Sequence, residues 1–234
     1  MKQIEVLGIP LLDLSTREAM KKMDGFFESG KLSTIAMISM RGLMAAQNDE
    51  SIKAWMGEMD LTVPSDSAIL QAGKISNRVR FREVDTNSFS KEFFKKLIRH
   101  NKSVFLLSDT EAGIQKMRDE IKSMEDSIRI VGSLTLGDIE HGDDFIVNEI
   151  NARFADVLIS NISTPERESF FQENHMKLNV SIWMMVRPDT SLHHKSENVF
   201  YKLYERLVTR VFHIRINRYE EQQNKENDSE TENQ

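Results

Sequence analysis

The chain contains no cysteine, which excludes disulfides, zinc–thiolate and iron–sulfur sites, and cysteine nucleophiles. No window approaches ~18 consecutive apolar residues, so nothing reads as a membrane span. The N-terminal "MKQIEVLGIPLLDLS" lacks the basic start and continuous apolar run of a signal peptide. Neither a P-loop nor a GxGxxG fingerprint occurs. The histidines offer no metal site. His193-His194 is an isolated pair, His100, His141 and His175 fall near helix or loop ends, and no carboxylate lies at a ligand-like helical spacing from any of them. The acidic "DIEHGDD" (138–144) reads as a solvated loop. These absences point to a cytoplasmic protein without metal or cofactor.

What is present suits a globular α/β protein: 234 residues, 39% hydrophobic and 29% charged. The net charge of −6 is concentrated at the C-terminus. Residues 220–234, "EEQQNKENDSETENQ", carry −5, leaving −1 for residues 1–219. The near-neutral body gives no electrostatic footprint for nucleic acid. The tail has no apolar residue to bury and is expected to be disordered.

Apolar strand-like runs alternate with amphipathic stretches. "KQIEVLGIPLLDL" predicts a strand and turn, and "STREAMKKMDGFFESG" a helix with Ser15 as N-cap, Glu18 completing a capping box and Gly30 ending it. "STIAMISM", "DLTV", "SVFLLS", "IRIVGSL", "ADVLISNI" and "VSIWMMV" predict buried strands. Helices are expected at "RGLMAAQNDESIKAWMGE", 68–73, "KEFFKKLIRH", "TEAGIQKMRDEIKSM", "DDFIVNEINARF" and "PERESFFQENHMKL". "NRVRFREVDTNSFS" reads as a polar connection. This order predicts a Rossmann-like, mostly parallel sheet with flanking helices over residues 1–190. A basic amphipathic helical appendage (191–219) and the acidic tail (220–234) follow.

In such a sheet, ligands bind beyond the carboxyl ends of the strands. That rule selects Ser39, Ser65-Asp66-Ser67, Ser108-Asp109-Thr110 and Ser163-Thr164-Pro165-Glu166. Helix capping alone also accounts for polar residues in these turns.

The pieces "VLGIP…LS..EA", "DLTVPSDSAILQAGK", "SVFLLSDTEAGIQKM" and "NEINARFADVL" followed by "STPERE" resemble, in order and spacing, the WecG/TagA/CpsF family of bacterial glycosyltransferases. The resemblance covers residue 4 to about 190. It implies transfer of an N-acetylmannosamine-type sugar from a UDP donor to a polyprenyl-diphosphate-linked acceptor, in envelope or surface-glycopolymer assembly.

Against the family pattern, Asp60 and Pro64 hold the frame, but the position of the proposed general base falls on Ser65 and the following glycine on Asp66. A serine cannot take a proton from an acceptor hydroxyl without an activating base of its own. The family's Thr-x-Asn corresponds to Met37 and Ser39. Its Glu-Arg order is reversed at Arg82-Glu83, where Glu83 is expected to repel a diphosphate. Its two glycines after the "VFLL" strand are Ser108 and Asp109, and Asp109 is expected to compete with an anion for the helix amides. In the Gly-x-Pro-Lys-Gln-Glu turn, Pro165 and Glu168 alone are kept. The resemblance therefore implies a member with lost or altered catalysis, a binding or regulatory homologue. The alternative is an active enzyme using Asp66 or Glu83 as base, with Arg82 or the C-terminal arginines on the diphosphate. Ser39, Ser65, Asp66, Ser108 and Pro165 are expected to line one cleft, with Arg82, Glu83, Asp109 and Glu168 as further substrate contacts.

In "VFYKLYERLVTRVFHIRINRY" (199–219), Leu203, Leu207, Val211 and Ile214 share one helical face. Lys202, Arg206, Arg210 and His213 share a neighbouring one, and the segment carries +4. One outcome is packing on the domain with a solvated basic side. The other is contact with an anionic membrane surface, placing the protein peripherally at its inner face. A protein partner or a second copy is the remaining expected contact.

Overall fold

The computed structural model describes residues 2–136, 142–163, 165–188, 192 and 199–231, with the backbone only at 199–201 and 226–231. The acidic loop at 138–141, Thr164, the His193-His194 pair and the expected boundary at 190/191 lie outside the described residues.

A hairpin comes first. β1 (Gln3–Val6) and β2 (Ile9–Leu12) pair antiparallel through a turn with positive φ at Leu7 and Gly8. The hairpin is a sheet of its own rather than the single strand and turn expected, because its strands alternate buried and exposed residues. It is tied to the main sheet where Leu12 N donates to Thr62 Oγ1 at 2.9 Å.

The main sheet has six strands: β3 (Ser33–Ile38), β4 (Leu61–Pro64), β5 (Ser103–Ser108), β6 (Arg129–Thr135), β7 (Val157–Asn161) and β8 (Ile182–Val186). Their spatial order is β4-β3-β8-β7-β5-β6 and every neighbouring pair is parallel. β3, β4, β5, β7 and β8 are buried at every position, as a parallel sheet covered on both faces requires.

One face packs on α1 (Thr16–Glu28), α6 (Ser88–Arg99) and α7 (Glu111–Met124). The other packs on α2 (Met40–Ala46), α3 (Glu50–Gly57), α4 (Ser67–Ala72), α8 (Asp143–Ala152), α9 (Glu166–Asn174) and α10 (Val199–Thr231). Ser15 and Glu18 form the expected capping box of α1. The hydrogen bonds from the Ser15 side chain and backbone hold the Glu18 carboxyl below its ordinary pKa.

Three expectations change. The stretch expected as one helix from Arg41 is two, α2 and α3, broken where Asp49 caps α3 by accepting from Ser51 N and Ile52 N. The "polar connection" contains a helix, α5 (Arg78–Asp85), capped by Asn77 and lying between α4 and α6. Its charge hid it, because the residue it buries is Arg80. α10 does not stop at 219 but runs to Thr231. Glu, Gln and Lys are good helix formers that need no buried face to continue a helix already nucleated on the domain.

Candidate functional site along the carboxyl edge

β5 is followed by α7 on one face and its neighbour β7 by α9 on the other, so the switch point lies between β5 and β7. Ser39, Ser65, Asp66, Ser108, Asp109 and Pro165 lie at or just after strand ends on this edge, in separate groups, while Arg82 and Glu83 lie on α5 and Glu168 on α9. Asp66 and Ser108 are four strand spacings apart, roughly 19 Å. Ser65 and Pro165 line different recesses along this edge.

The first group joins the ends of β3 and β4. Ser39 caps α2 by accepting from Gly42 N at 3.1 Å. Ser65 N donates to Ile38 O at 2.8 Å, and Ser65 Oγ lies 3.0 Å from both Ile38 O and Asp66 Oδ2. Asp66 stands at the start of α4 without capping it. Its buried carboxylate instead accepts from Met40 N at 3.4 Å, across the strand boundary. Arg187, at the end of central β8, runs over the same helix start. A Cβ at Gly42 would sit 3.3 Å from its Cδ, so the glycine gives that side chain its path.

Beside Ser65 a recess is lined by Met37, Val63, Pro64, Val84 and Phe89, with Glu83 and Arg80 in its wall. Its free volume is about 30 Å³. Since one water needs roughly 10–15 Å³ on this measure, the space suits two or three waters. Glu83 does not project as a lone charge. It accepts from Arg80 Nη1 at 2.7 Å and from Thr16 N at 3.2 Å, while Arg80 Nε reaches Asp13 Oδ1 at 3.2 Å. Arg82, the residue picked from the sequence, is exposed and has no part in this network. The i, i+3 spacing of Arg80 and Glu83 would have revealed the pair, had 77–85 been read as a helix.

The third group sits at the switch point. Ser108 Oγ donates to Asn161 O at 3.1 Å and presses on the first turn of α7, where Gly113 leaves no room for a Cβ. The α7 amides are not taken by Asp109, contrary to expectation, because Thr110 Oγ1 caps them through Gly113 N at 3.1 Å. Asp109 turns instead to the loop after β7. Its Oδ2 accepts from Ser163 N at 2.8 Å and from Ser163 Oγ.

Pro165 lines a separate groove with Leu136, Gly142, Asp143, Ile146 and Phe170. Glu168 is not at the surface at all. It is buried on the α3 side, paired through Oε1 with Arg167, whose guanidinium lies 4.1 Å above the Trp55 ring. Glu168 Oε2 and Trp55 Nε1 are buried and make no hydrogen bond. Among the described residues, no group of three or more His, Cys, Asp and Glu side chains could hold a metal ion.

α10 packs through Phe212 and Ile216, with Arg215 donating to Met44 O at 3.0 Å and Glu220 paired with Lys74 at 3.1 Å. Near its start, Arg41 of α2 stacks on Tyr204 at 4.4 Å and pairs with Glu205 at 3.6 Å. The stripe Leu203, Leu207, Val211 and Ile214 is therefore not the packing face. It is 44–56% exposed, beside the exposed Lys202, Arg206 and Arg210. No helix among the described residues is long and apolar enough to cross a membrane.

No curated protein is similar enough to match the chain. The model of the glycosyl transferase WecG/TagA/CpsF family matches residues 4–187, which take in the hairpin from Ile4, all six strands of the main sheet and the groups at its carboxyl edge, but not α10. The chain belongs to the WecG/TagA/CpsF glycosyl transferase family.

Proposed function

We propose that the chain is a family member that keeps the fold but has lost sugar transfer, acting as a binding or regulatory homologue in cell-envelope or surface-glycopolymer assembly. The observation that carries this is at the turn after β4. Where the family places its base, Ser65 has its hydroxyl within hydrogen-bond reach of Ile38 O and Asp66, beside a recess of about 30 Å³ lined by Met37. A serine hydroxyl cannot take a proton from an acceptor hydroxyl as the family's Asp would, and a recess with room for two or three waters does not admit a sugar ring. Among the other positions carried over from the family, Glu83 is neutralised by Arg80, and Ser39 and Ser108 are engaged with backbone groups. Arg82 and Pro165 remain exposed, while Glu168 is withdrawn into the core.

The exposed apolar stripe and adjacent cations of α10 suit an anionic membrane surface, on which the protein would sit peripherally. A second copy fits less well. Apposing two such stripes brings together two segments that each carry +4.

The second reading is an active transferase moving a hexosamine-type sugar from a UDP donor to a polyprenyl-diphosphate-linked acceptor. It is favoured by the position of Asp66, one residue beyond the family's base and buried at the same strand end. Calorimetric titration with UDP and UDP-N-acetylmannosamine separates the two. The non-catalytic reading expects no heat of binding at millimolar ligand. Micromolar binding of the sugar nucleotide would contradict it.

A further inference from the structure

A groove of about 610 Å³ opens between the β2–α1 loop and the α4–α5 loop, and Arg80 lines both it and the small recess beside Ser65. Its volume is that of a small-molecule pocket, roughly 300–1,000 Å³, but its lining is charged rather than apolar. Lys2, Arg17, Lys74 and Arg80 bring four cations to it, against the carboxylates of Asp13 and Glu18. These charges are not equally engaged. Arg80 is 8% exposed and is fixed by Asp13 at Nε and Glu83 at Nη1. Its Nη2 has no hydrogen-bond partner among the described residues and is not sealed from solvent. Arg17 is exposed and has no partner among the described residues, and Lys2 reaches Asp13 only at 3.7 Å. Lys74 pairs with Glu220 and holds φ +57 in the turn that ends α4, a left-handed position usually given to glycine. Both carboxylates are already satisfied, Asp13 by Arg80 and Lys2, and Glu18 by the Ser15 hydroxyl and amide. Beyond those bonds from Ser15, Arg80 and Lys2 also help to hold the Glu18 carboxyl below its ordinary pKa, so the groove favours negative charge.

We propose that this groove binds a compact, metabolite-sized polyanion carrying phosphate or carboxylate groups, with buried Arg80 as fixed anchor and Arg17 and Lys2 closing over it. A guanidinium already held in place by two carboxylates loses little side-chain freedom when it takes a ligand oxygen. Those same carboxylates temper its charge, which is why the unpaired Arg17 and the loosely paired Lys2 are needed. Ile75 is the one apolar residue in the described lining, so the groove offers no wall on which a nucleobase could stack. None of Lys2, Arg17 and Arg80 is a position carried over from the family, and the inference does not depend on whether sugar transfer is lost.

The test is titration of the full chain with inorganic pyrophosphate and with citrate at low ionic strength, read by calorimetry and by ¹⁵N–¹H signals. Wild type is expected to bind at least one of them at millimolar concentration or below, moving the signals of Ser76 and Asn77, which line the groove. The stronger of the two probes tells phosphate recognition from carboxylate recognition. Arg17→Ala removes an exposed side chain without a partner, so it should fold as wild type and weaken binding about 5-fold or more. Arg80→Lys keeps the charge but loses the planar fork, and should weaken binding further. Should Arg80→Lys fail to fold, Arg17→Ala combined with Lys2→Ala carries the comparison. No binding of either probe at millimolar concentration would overturn the proposal. So would binding that Arg17→Ala leaves unchanged, or shifts at Ser65 and Ser163 in place of Ser76 and Asn77.

Discussion

The hydroxyl of Ser65 lies 3.0 Å from the carboxylate of Asp66, its own neighbour in the chain, and 3.0 Å from the carbonyl of Ile38. The turn after β4 is thereby fastened back onto β3, and the one buried carboxylate at that turn faces a hydroxyl and a backbone amide. A second carboxylate at 65 would meet Asp66 at close range. Ser65→Asp should therefore lower unfolding stability by about 1–3 kcal/mol in urea titrations, from like-charge contact and a lost hydrogen bond. It should release no UDP from UDP-N-acetylmannosamine. Gain of turnover in this variant would show that the base alone was missing.

Arg80 and Arg82 lie two positions apart on α5 with opposite expected behaviour. Arg80 is buried between Asp13 and Glu83, so Arg80→Met leaves two poorly solvated carboxylates and should cost about 3–5 kcal/mol. Arg82→Ala, on the exposed side, should change stability by less than about 0.5 kcal/mol. Chemical denaturation of the pair checks this. Equal effects would mean the ion-pair network is misassigned.

Asp156 supplies a pH dependence far from the candidate site. Burial pushes its pKa up, but hydrogen bonds from Lys102 and from the Ser103 amide and hydroxyl outweigh that and hold it below the ordinary value. A carboxyl whose folded pKa is depressed contributes stability above its unfolded pKa and loses it as pH falls through the folded one. This contribution is thus present at neutral pH and disappears below roughly pH 4, the ordinary aspartate range. Asp156→Asn should be less stable than wild type at pH 7, with the difference narrowing toward pH 2–3 in melting experiments.

On α10 the apolar residues divide by role. Phe212 is fully buried, and Phe212→Ala should destabilise the protein by about 3–5 kcal/mol if the helix stays docked, or release the helix. Leu203→Ser with Leu207→Ser removes only exposed side chains and should leave the melting temperature unchanged. The same double variant should lose co-sedimentation with vesicles containing phosphatidylglycerol. Vesicle binding that survives it would move the membrane contact elsewhere.

The sheet was legible because its strands are short apolar runs between amphipathic helices, and "SVFLLS" is buried at all six positions. The capping box at Ser15 and Glu18 was legible for the same local reason. α5 was not, because its buried residue is an arginine whose partners, Asp13 and Glu83, are joined only by the tertiary fold. The packing face of α10 was left open for a related reason. Leu203, Leu207, Val211 and Ile214 make the cleaner sequence stripe, yet the domain selects Phe212 and Ile216. At the candidate site, sequence located the strand ends but not the pairing of Asp109 with Ser163, since contacts across 54 positions follow from strand order rather than from local pattern.

Loss of transfer is tested most directly by UDP release from UDP-N-acetylmannosamine with a polyprenyl-diphosphate-sugar acceptor, in wild type and Asp66→Asn side by side. The account predicts release at the no-enzyme background for both, with both proteins folded. Robust wild-type turnover that Asp66→Asn abolishes would contradict it and assign Asp66 as the base.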